Sequence, residues 1–198
     1  MKKSILTGLF LSVFLVVISF TAEAQAKPVA KQTYKDFVGA NPNWEADLKT
    51  VGDYVNALAA NDLDKAKSLL SENYKGFGPS PKDSATREQH IERWKEQAKS
   101  QLNAKTTFVS ETFRVLQGEQ MGDWVSVWGD WSFTQNNIIV KFPYQFTAHI
   151  SKGKIDRGIV YYDRAYIMET LGYKITPPAP AHGSTAPTAR PARGCSGP

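Results

Sequence analysis

The spacing of apolar residues changes in this sequence at Asn103. Before that residue, apolar side chains recur in steps of three and four, the period of amphipathic helices. After it, apolar and polar residues alternate, the period of half-buried β-strands. Helices followed by a run of strands predict an α+β fold, in which the helices pack on one face of an antiparallel sheet.

Three helices are predicted before the change. They span residues 43–61, residues 62–70, and a third segment from a cap at Ser84 or Thr86 to residue 102. In the first, the apolar stripe is Trp44, Leu48, Val51, Val55 and Leu58. Charged residues cover much of the third helix and are interpreted as a solvated face.

Four long strands are predicted after Asn103, over residues 105–116, 123–133, 138–150 and 155–163, followed by a short helix over 164–171. Strands of ten or more residues are longer than usual. Long, strongly curved strands that wrap around a helix form a cone, and a cone has an open mouth. The sequence therefore predicts a pocket.

The N-terminus has the pattern of a bacterial secretory signal peptide. Two lysines, Lys2 and Lys3, precede an apolar stretch from Ile5 to Phe20, and Ala24 and Ala26 form a small-x-small cleavage site. A membrane anchor would need roughly 20 apolar residues, and this stretch is shorter. We therefore expect export to the periplasm or the medium, with no membrane association after cleavage.

The predicted organisation is a signal peptide over 1–26, a leader over 27–42, the α+β domain over 43–175 and a tail over 176–198. The tail is rich in Pro, Ala, Gly, Ser and Thr and has no large apolar residue beyond Ile175. Such a composition cannot bury a core, so the tail is expected to be disordered.

Charge and cysteine content limit the classes of function. Without residues 1–26, which hold two lysines and one glutamate, the chain has 22 basic and 18 acidic residues, a net charge of about +4. This near-neutral body argues against nucleic-acid binding. A single cysteine, Cys195, cannot form an internal disulfide, and three scattered histidines predict no metal site. We expect no cofactor.

Two sets of short motifs carry a family resemblance. The first is the stretch 54–64, Tyr-Val-Asn-Ala-Leu-Ala-Ala-Asn-Asp-Leu-Asp, followed by Leu69-Leu70 and Gly78-Pro79. The second is Gly153-Lys154-Ile155, with Tyr162-Asp163 and Leu171-Gly172 after it. Over residues 44–173, the chain resembles the nuclear transport factor 2-like superfamily, which includes SnoaL-like polyketide cyclases and ketosteroid isomerases. The resemblance implies an α+β cone of three N-terminal helices on a strongly curved antiparallel sheet, frequently dimeric through that sheet.

Asp163 is the first candidate for a catalytic residue, because the family often keeps an acid in the pocket at this place. Strand alternation puts it on the same face as Ile155, Ile159 and Tyr161. A carboxylate in an apolar pocket has a raised pKa and can act as a general acid or base. The alternative is a helix N-cap for the helix that begins at Arg164.

Tyr54 matches the tyrosine that ketosteroid isomerases use as a hydrogen-bond donor to an oxyanion. The alternative is a helix tyrosine that lies beside the apolar stripe. In those isomerases, the residue before the proline is the acidic base, whereas this chain has Gly78 before Pro79. Isomerase activity of that type is therefore not expected.

The histidines are weaker candidates. His149 alternates with Phe146, Ala148 and Ile150, so it is predicted on the outer face of the sheet. His90 is interpreted as a rim or surface residue of the third helix.

Trp124 and Trp128 share the outer face of one strand, while Trp131 falls on the more apolar, inner face. Two exposed tryptophans would form an apolar patch, which favours a homodimer interface. A platform for stacking sugar rings is the alternative.

Together these patterns predict an exported, non-catalytic domain that binds a small, largely apolar molecule. The predicted pocket residues are Tyr54, Trp94, Tyr144, Phe146, Tyr161 and Asp163. Two alternatives stay open. One is a cofactor-independent lyase, isomerase or hydrolase that uses Asp163 and Tyr54, and the other is a protein-interaction domain that acts through the outer sheet face.

Overall fold

The computed structural model describes residues 33–80 and 82–176 of the 198 residues. The predicted signal peptide and all but the first residue of the predicted tail lie outside the described residues. The fold below is that of the unit that begins at Thr33.

The described residues form five helices and seven strands. The helices are α1 (Tyr34–Phe37), α2 (Trp44–Ala59), α3 (Leu63–Leu69), α4 (Arg87–Ala98) and α5 (Arg164–Thr170). The strands are β1 (Val38–Gly39), β2 (Leu70–Phe77), β3 (Ser84–Thr86), β4 (Leu102–Val115), β5 (Gly122–Gln135), β6 (Ile138–Ser151) and β7 (Lys154–Tyr162).

All seven strands belong to one sheet, in the order β1-β4-β5-β6-β7-β2-β3. The long strands β4 to β7 form an antiparallel meander. The strand β2 pairs in parallel with β7, which brings the first half of the chain against the end of the meander. The predicted α+β class and curved sheet are confirmed.

Local sequence explains the main helix boundaries. Asp62 caps α3 by accepting a hydrogen bond from the backbone N–H of Lys65. Thr86 and Gln89 form a capping box at the start of α4. This helix ends at Ala98, four residues before the predicted end, because Leu102 already begins β4.

Part of the predicted leader is built into the domain. The strand β1 pairs with the end of β4, so residues 38–39 extend the sheet. Asn41 is buried, and its Nδ2 donates to Asp47 Oδ2 at 2.7 Å and to Thr112 Oγ1 at 2.8 Å. These two bonds join the incoming segment to α2 and β4 and satisfy the buried carboxylate of Asp47.

The core lies between α2 and the concave face of the sheet. It contains alternate residues of β5 and β6, namely Val125, Val127, Trp131, Phe133, Val140, Phe142, Phe146 and Ala148. In the middle of β5, Gly129 faces this side, where a Cβ would meet the Thr107 carbonyl oxygen and lie 2.6 Å from Phe108 Cα. Only glycine allows the neighbouring strand to approach this closely.

A β-bulge in β7 changes which residues at the end of this strand face the interior, compared with the alternation that the sequence predicts. Ile150 pairs with Ile155, but His149 pairs with Arg157, so Asp156 is an extra residue. The extra residue reverses the alternation. Gly158, Val160 and Tyr162 therefore face the interior, and Tyr161 lies on the outer side of the sheet, 56% exposed.

Candidate ligand-binding cavity

The cone encloses a cavity of about 460 Å³ between α2, α4, α5 and the concave face of the sheet. This volume lies in the range of small-molecule pockets. Its aromatic wall consists of Trp94, Trp131, Phe133, Phe142, Tyr144 and Phe146. Trp94 packs against Trp131 with the ring centroids 5.4 Å apart.

The structure brings four of the six predicted pocket residues together. Tyr54, Trp94, Tyr144 and Phe146 all line the cavity. The side chains of Tyr54 and Phe146 contact each other, with ring centroids 5.5 Å apart. The predicted place of Tyr161 in the pocket is wrong, because the bulge turns this side chain outward and Tyr162 lines the cavity instead.

Asp163 lies outside the cavity and caps α5. Its Oδ1 accepts a hydrogen bond from the backbone N–H of Tyr166 at 2.9 Å, and the residue is exposed. The bulge is again the reason, since it shifts the phase of every residue that follows Asp156. Solvent and the helix end surround this carboxylate, so it is not placed to exchange a proton with a ligand in the cavity.

A histidine that the sequence analysis placed at the rim forms the polar centre of the cavity. His90 Nε2 lies 2.6 Å from the Tyr54 hydroxyl oxygen and 3.1 Å from Trp94 Nε1. An indole N–H can only donate, so Nε2 must be the unprotonated nitrogen of the ring. The Tyr54 hydroxyl therefore also donates its proton to His90.

Burial controls the ionisation of this cluster. It lowers the pKa of His90 to about 4, and the nearby charge of Arg93 contributes to the shift. Burial also raises the pKa of Tyr54 well above its usual value, and that of Tyr74 in the same direction. At neutral pH, the centre of the cavity is uncharged.

The hydrogen bond from Tyr54 to His90 bears on the predicted role of Tyr54. An oxyanion donor needs a free O–H directed at the ligand. Here that proton is directed at His90 Nε2, and only the lone pairs of the Tyr54 oxygen stay available. At this atom the cluster can accept a hydrogen bond from a ligand, but the Tyr54 O–H is not directed at the ligand as the family resemblance implies.

Helical spacing was the signal that could have found His90. Positions 90, 94 and 97 follow steps of four and three, so they share the face of α4 on which Trp94 lies, and Gln101 follows shortly after the helix. All four residues line the cavity, as does Arg93. The predicted solvated face included Arg93, and His90 was predicted at the rim or surface of the helix, but both residues line the cavity.

Charged side chains lie at the mouth of the cavity. Asp83 Oδ1 accepts from Arg93 Nη1 at 3.0 Å, and Asp83 Oδ2 accepts from Arg164 Nη1 at 3.3 Å. A Cβ on Gly78 would collide with the carboxylate of Asp83, so this acid fills the space beside Gly78. A carboxylate thus lies beside Gly78 at the mouth, and two guanidinium groups hold it.

The outer face of the sheet contains the remaining candidates. Trp128 is 42% exposed there, whereas Trp124 is only 5% exposed. The Trp124 indole donates to the carbonyl of Gln120 and packs against the edge of His149. Trp124 therefore offers little surface to a partner, which corrects its predicted place in an interface.

His149 lies on the outer face, as alternation predicts, and its Nδ1 is 2.5 Å from Asp156 Oδ1. Over residues 33–80 and 82–176, no three His, Cys, Asp or Glu side chains are grouped so that they could hold a metal ion. Among the same residues, no helix has the length and apolar character to span a membrane.

Solved structures with the same architecture cover nearly the whole described domain. A ketosteroid isomerase-like protein from Catenulispora acidiphila, in complex with trimethylamine, is 15% identical, with a TM-score of 0.54 over 65% of this chain and 98% of its own. A proposed polyketide cyclase from Xanthomonas campestris is 14% identical, with a TM-score of 0.55 over 65% and 98%. This chain has the nuclear transport factor 2-like fold.

Other proteins with the nuclear transport factor 2-like fold differ in the activity for which they are named. An LEH-like epoxide hydrolase from Mycobacterium tuberculosis is 13% identical, with a TM-score of 0.52 over 66% of this chain and 92% of its own. No protein-family model and no curated protein sequence matches this chain. At such low identity the likeness defines the fold, and the function must be argued from the cavity.

Proposed function

We propose that this protein is an exported domain that binds a small, largely apolar molecule in its cone and does not transform it. The observation that carries the proposal is the aromatic cavity of about 460 Å³, open at one end. Binding of an apolar ligand removes its surface and the apolar walls of the cavity from water, and this makes the free energy of binding favourable.

The polar groups of the cavity favour binding over catalysis. The lone pair of His90 Nε2 already accepts from Tyr54 and Trp94, so it is not free to take a proton from a ligand. The Asp83 carboxylate is engaged by two arginines. A cofactor-independent enzyme would need one of these groups to be released, or a further proton acceptor in the cavity.

Export and dimerisation are part of the same proposal. The signal-peptide pattern supports export, in which case the ligand is met outside the cytoplasm. A row of apolar residues on the outer sheet face supports a homodimer. The row contains Val109, Trp128 and Tyr161, which are 56%, 42% and 56% exposed and occupy the same register across β4, β5 and β7.

Binding of N-phenyl-1-naphthylamine, a neutral fluorescent probe, tests the proposal. We expect saturable binding to the wild-type protein and a loss of affinity of at least about tenfold in Val160→Phe, because the larger side chain fills the cavity that Val160 lines. Val109→Phe makes the same exchange on the outer face and is expected to leave binding unchanged.

Thermal unfolding shows whether Val160→Phe retains its fold. If that variant is unfolded, Gln97→Trp replaces it in the comparison, because Gln97 is a solvent-exposed residue of the cavity lining and a larger side chain there narrows the mouth. Absence of saturable binding to the wild-type protein, or equal binding by the cavity and outer-face variants, would contradict the proposed function.

A further inference from the structure

We infer that the ligand of this cavity is an amphiphilic acid, an apolar body with one anionic group that the arginines at the mouth recognise. The inference rests on the proposed binding function and adds the chemical class of the ligand. Among the described residues, the charged side chains that line the cavity are Asp83, Arg93 and Arg164, and His90 beside them is neutral. The mouth therefore has an excess of one positive charge.

The two arginines come from different elements and meet at one carboxylate. Arg93 is on α4, and Arg164 is the first residue of α5. Asp83 contacts one guanidinium with each of its oxygens, at 3.0 and 3.3 Å. This bridge brings both guanidinium groups to the same place at the mouth.

Unused donors face a ligand at this place. A guanidinium has five N–H groups. Arg93 directs one Nη to Asp83 and the other to the backbone carbonyl of Ser84, while Arg164 makes a single hydrogen bond within the described residues. The side chains are 52% and 61% exposed, so an incoming anion can reach them. Guanidinium groups match a carboxylate in geometry as well as in charge.

The walls deeper in the cone determine the chemistry of the rest of the ligand. Below the arginines, the walls are the aromatic side chains and the uncharged centre at His90. A fully polar anion would leave that surface in contact with water, and a fully apolar molecule would leave the excess charge uncompensated. A ligand with an apolar body and one terminal anionic group satisfies both parts of the site.

A purely structural role is the competing explanation, in which the ion pairs only hold the segment that contains Asp83 against α4 and α5. The two explanations differ for Asp83→Asn. If the arginines recognise an anion, removal of the competing carboxylate raises the positive charge of the mouth and strengthens anion binding. If they only hold the segment, the change loosens it and does not strengthen the binding of any ligand.

Two probes with the same ring system test the inference. The dye 8-anilinonaphthalene-1-sulfonate is N-phenyl-1-naphthylamine with an added sulfonate. We expect the wild-type protein to bind the anionic dye about tenfold more tightly than the neutral one. The double variant Arg93→Gln/Arg164→Gln should lose this preference, measured as the ratio of the two affinities. Asp83→Asn should increase the preference.

Arg87→Gln is the matched control, since Arg87 is on the same helix, lies outside the cavity lining and has the same charge. Val160→Phe should lower the affinity for both probes, and this result would show that both bind in the cavity. Neutral binding in the cavity without an anionic preference would overturn this inference and leave the proposed function standing. An equal effect of Arg87→Gln, or no effect of Asp83→Asn, would also overturn it. Failure of the neutral probe to bind would overturn the proposed function itself.

Discussion

At the scale of single residues, the neighbours of His90 determine its chemistry. Trp94 lies one helical turn further along α4 and donates its indole N–H to Nε2, which fixes the tautomer. Tyr54 reaches the same nitrogen from α2. Burial then holds the pKa of the ring at about 4, so the cluster stays neutral over the physiological range.

This lowered pKa makes the stability of the protein dependent on pH. The pKa of His90 is about 4 in the folded state, against an ordinary value of 6.5. Between these values, the unfolded chain binds a proton that the folded chain does not. The free energy of unfolding should therefore fall as the pH is lowered from 7 to 4, by at most about 3 kcal/mol.

Urea unfolding of the wild-type protein and of His90→Gln at pH 7 and pH 4.5 measures this contribution. The glutamine cannot take up the proton, so we expect the variant to lose less stability on acidification. Carboxylates titrate in both proteins and cancel in the difference. Identical losses in the two proteins would show that His90 is not held neutral by the fold.

The pocket residues show what alternation can and cannot predict. Tyr144 and Phe146 were predicted correctly, because β6 alternates without interruption from the turn that precedes it. Tyr161 and Asp163 were not, because the bulge at Asp156 leaves no mark in the apolar pattern of the sequence. Asp83 was missed because it belongs to a loop, where no periodicity places a side chain.

At the scale of elements, the close approach of β4 to β5 depends on Gly129. The backbone of β4 crosses close to this residue, so that no Cβ can be accommodated. Gly129→Ala would therefore have to displace backbone atoms rather than the end of a flexible side chain. We expect it to lower the free energy of unfolding by about 3 kcal/mol.

Ser132→Ala on the outer face of the same strand is the matched control, and we expect it to change stability by less than about 0.5 kcal/mol. Chemical unfolding of both variants measures the difference. Similar stabilities of the two variants would contradict the importance of this close approach. The approach was not predictable, because the sequence shows a glycine in a strand but not which strand lies close to it.

Helix and strand identities were predicted better than their ends. The period change at Asn103 correctly divided helices from long strands, since the four strands of the meander have strong alternation. The short strands β1 and β3 were missed. They have two and three residues and are held by pairing with β4 and β2, contacts that a local pattern does not encode.

At the scale of the whole molecule, the outer sheet face is the proposed homodimer surface. Trp128 lies between the other two residues of its apolar row, next to Val109 on β4 and separated from Tyr161 on β7 by Gln145 of β6. Trp128→Glu would place a charge in the interface, and we expect it to convert a dimer into a monomer in size-exclusion chromatography with light scattering. Met121→Glu, in the exposed turn before β5, is the control and should leave the dimer intact.

A dimer that persists in Trp128→Glu would contradict the outer face as the interface. A wild-type protein that is already monomeric would contradict the dimer altogether. Neither result affects the cavity, which is formed by α2, α4, α5 and the concave face of the same chain.

The most direct test of the central claim is a crystal structure of the protein grown with 2-naphthoate, an apolar double ring with one carboxylate. We predict that the ring lies in the cone between Trp94, Trp131 and Phe146, with its carboxylate in hydrogen-bond contact with Arg93 or Arg164. A cone that stays empty at saturating 2-naphthoate, or naphthoate bound only on the outer sheet face, would contradict the account.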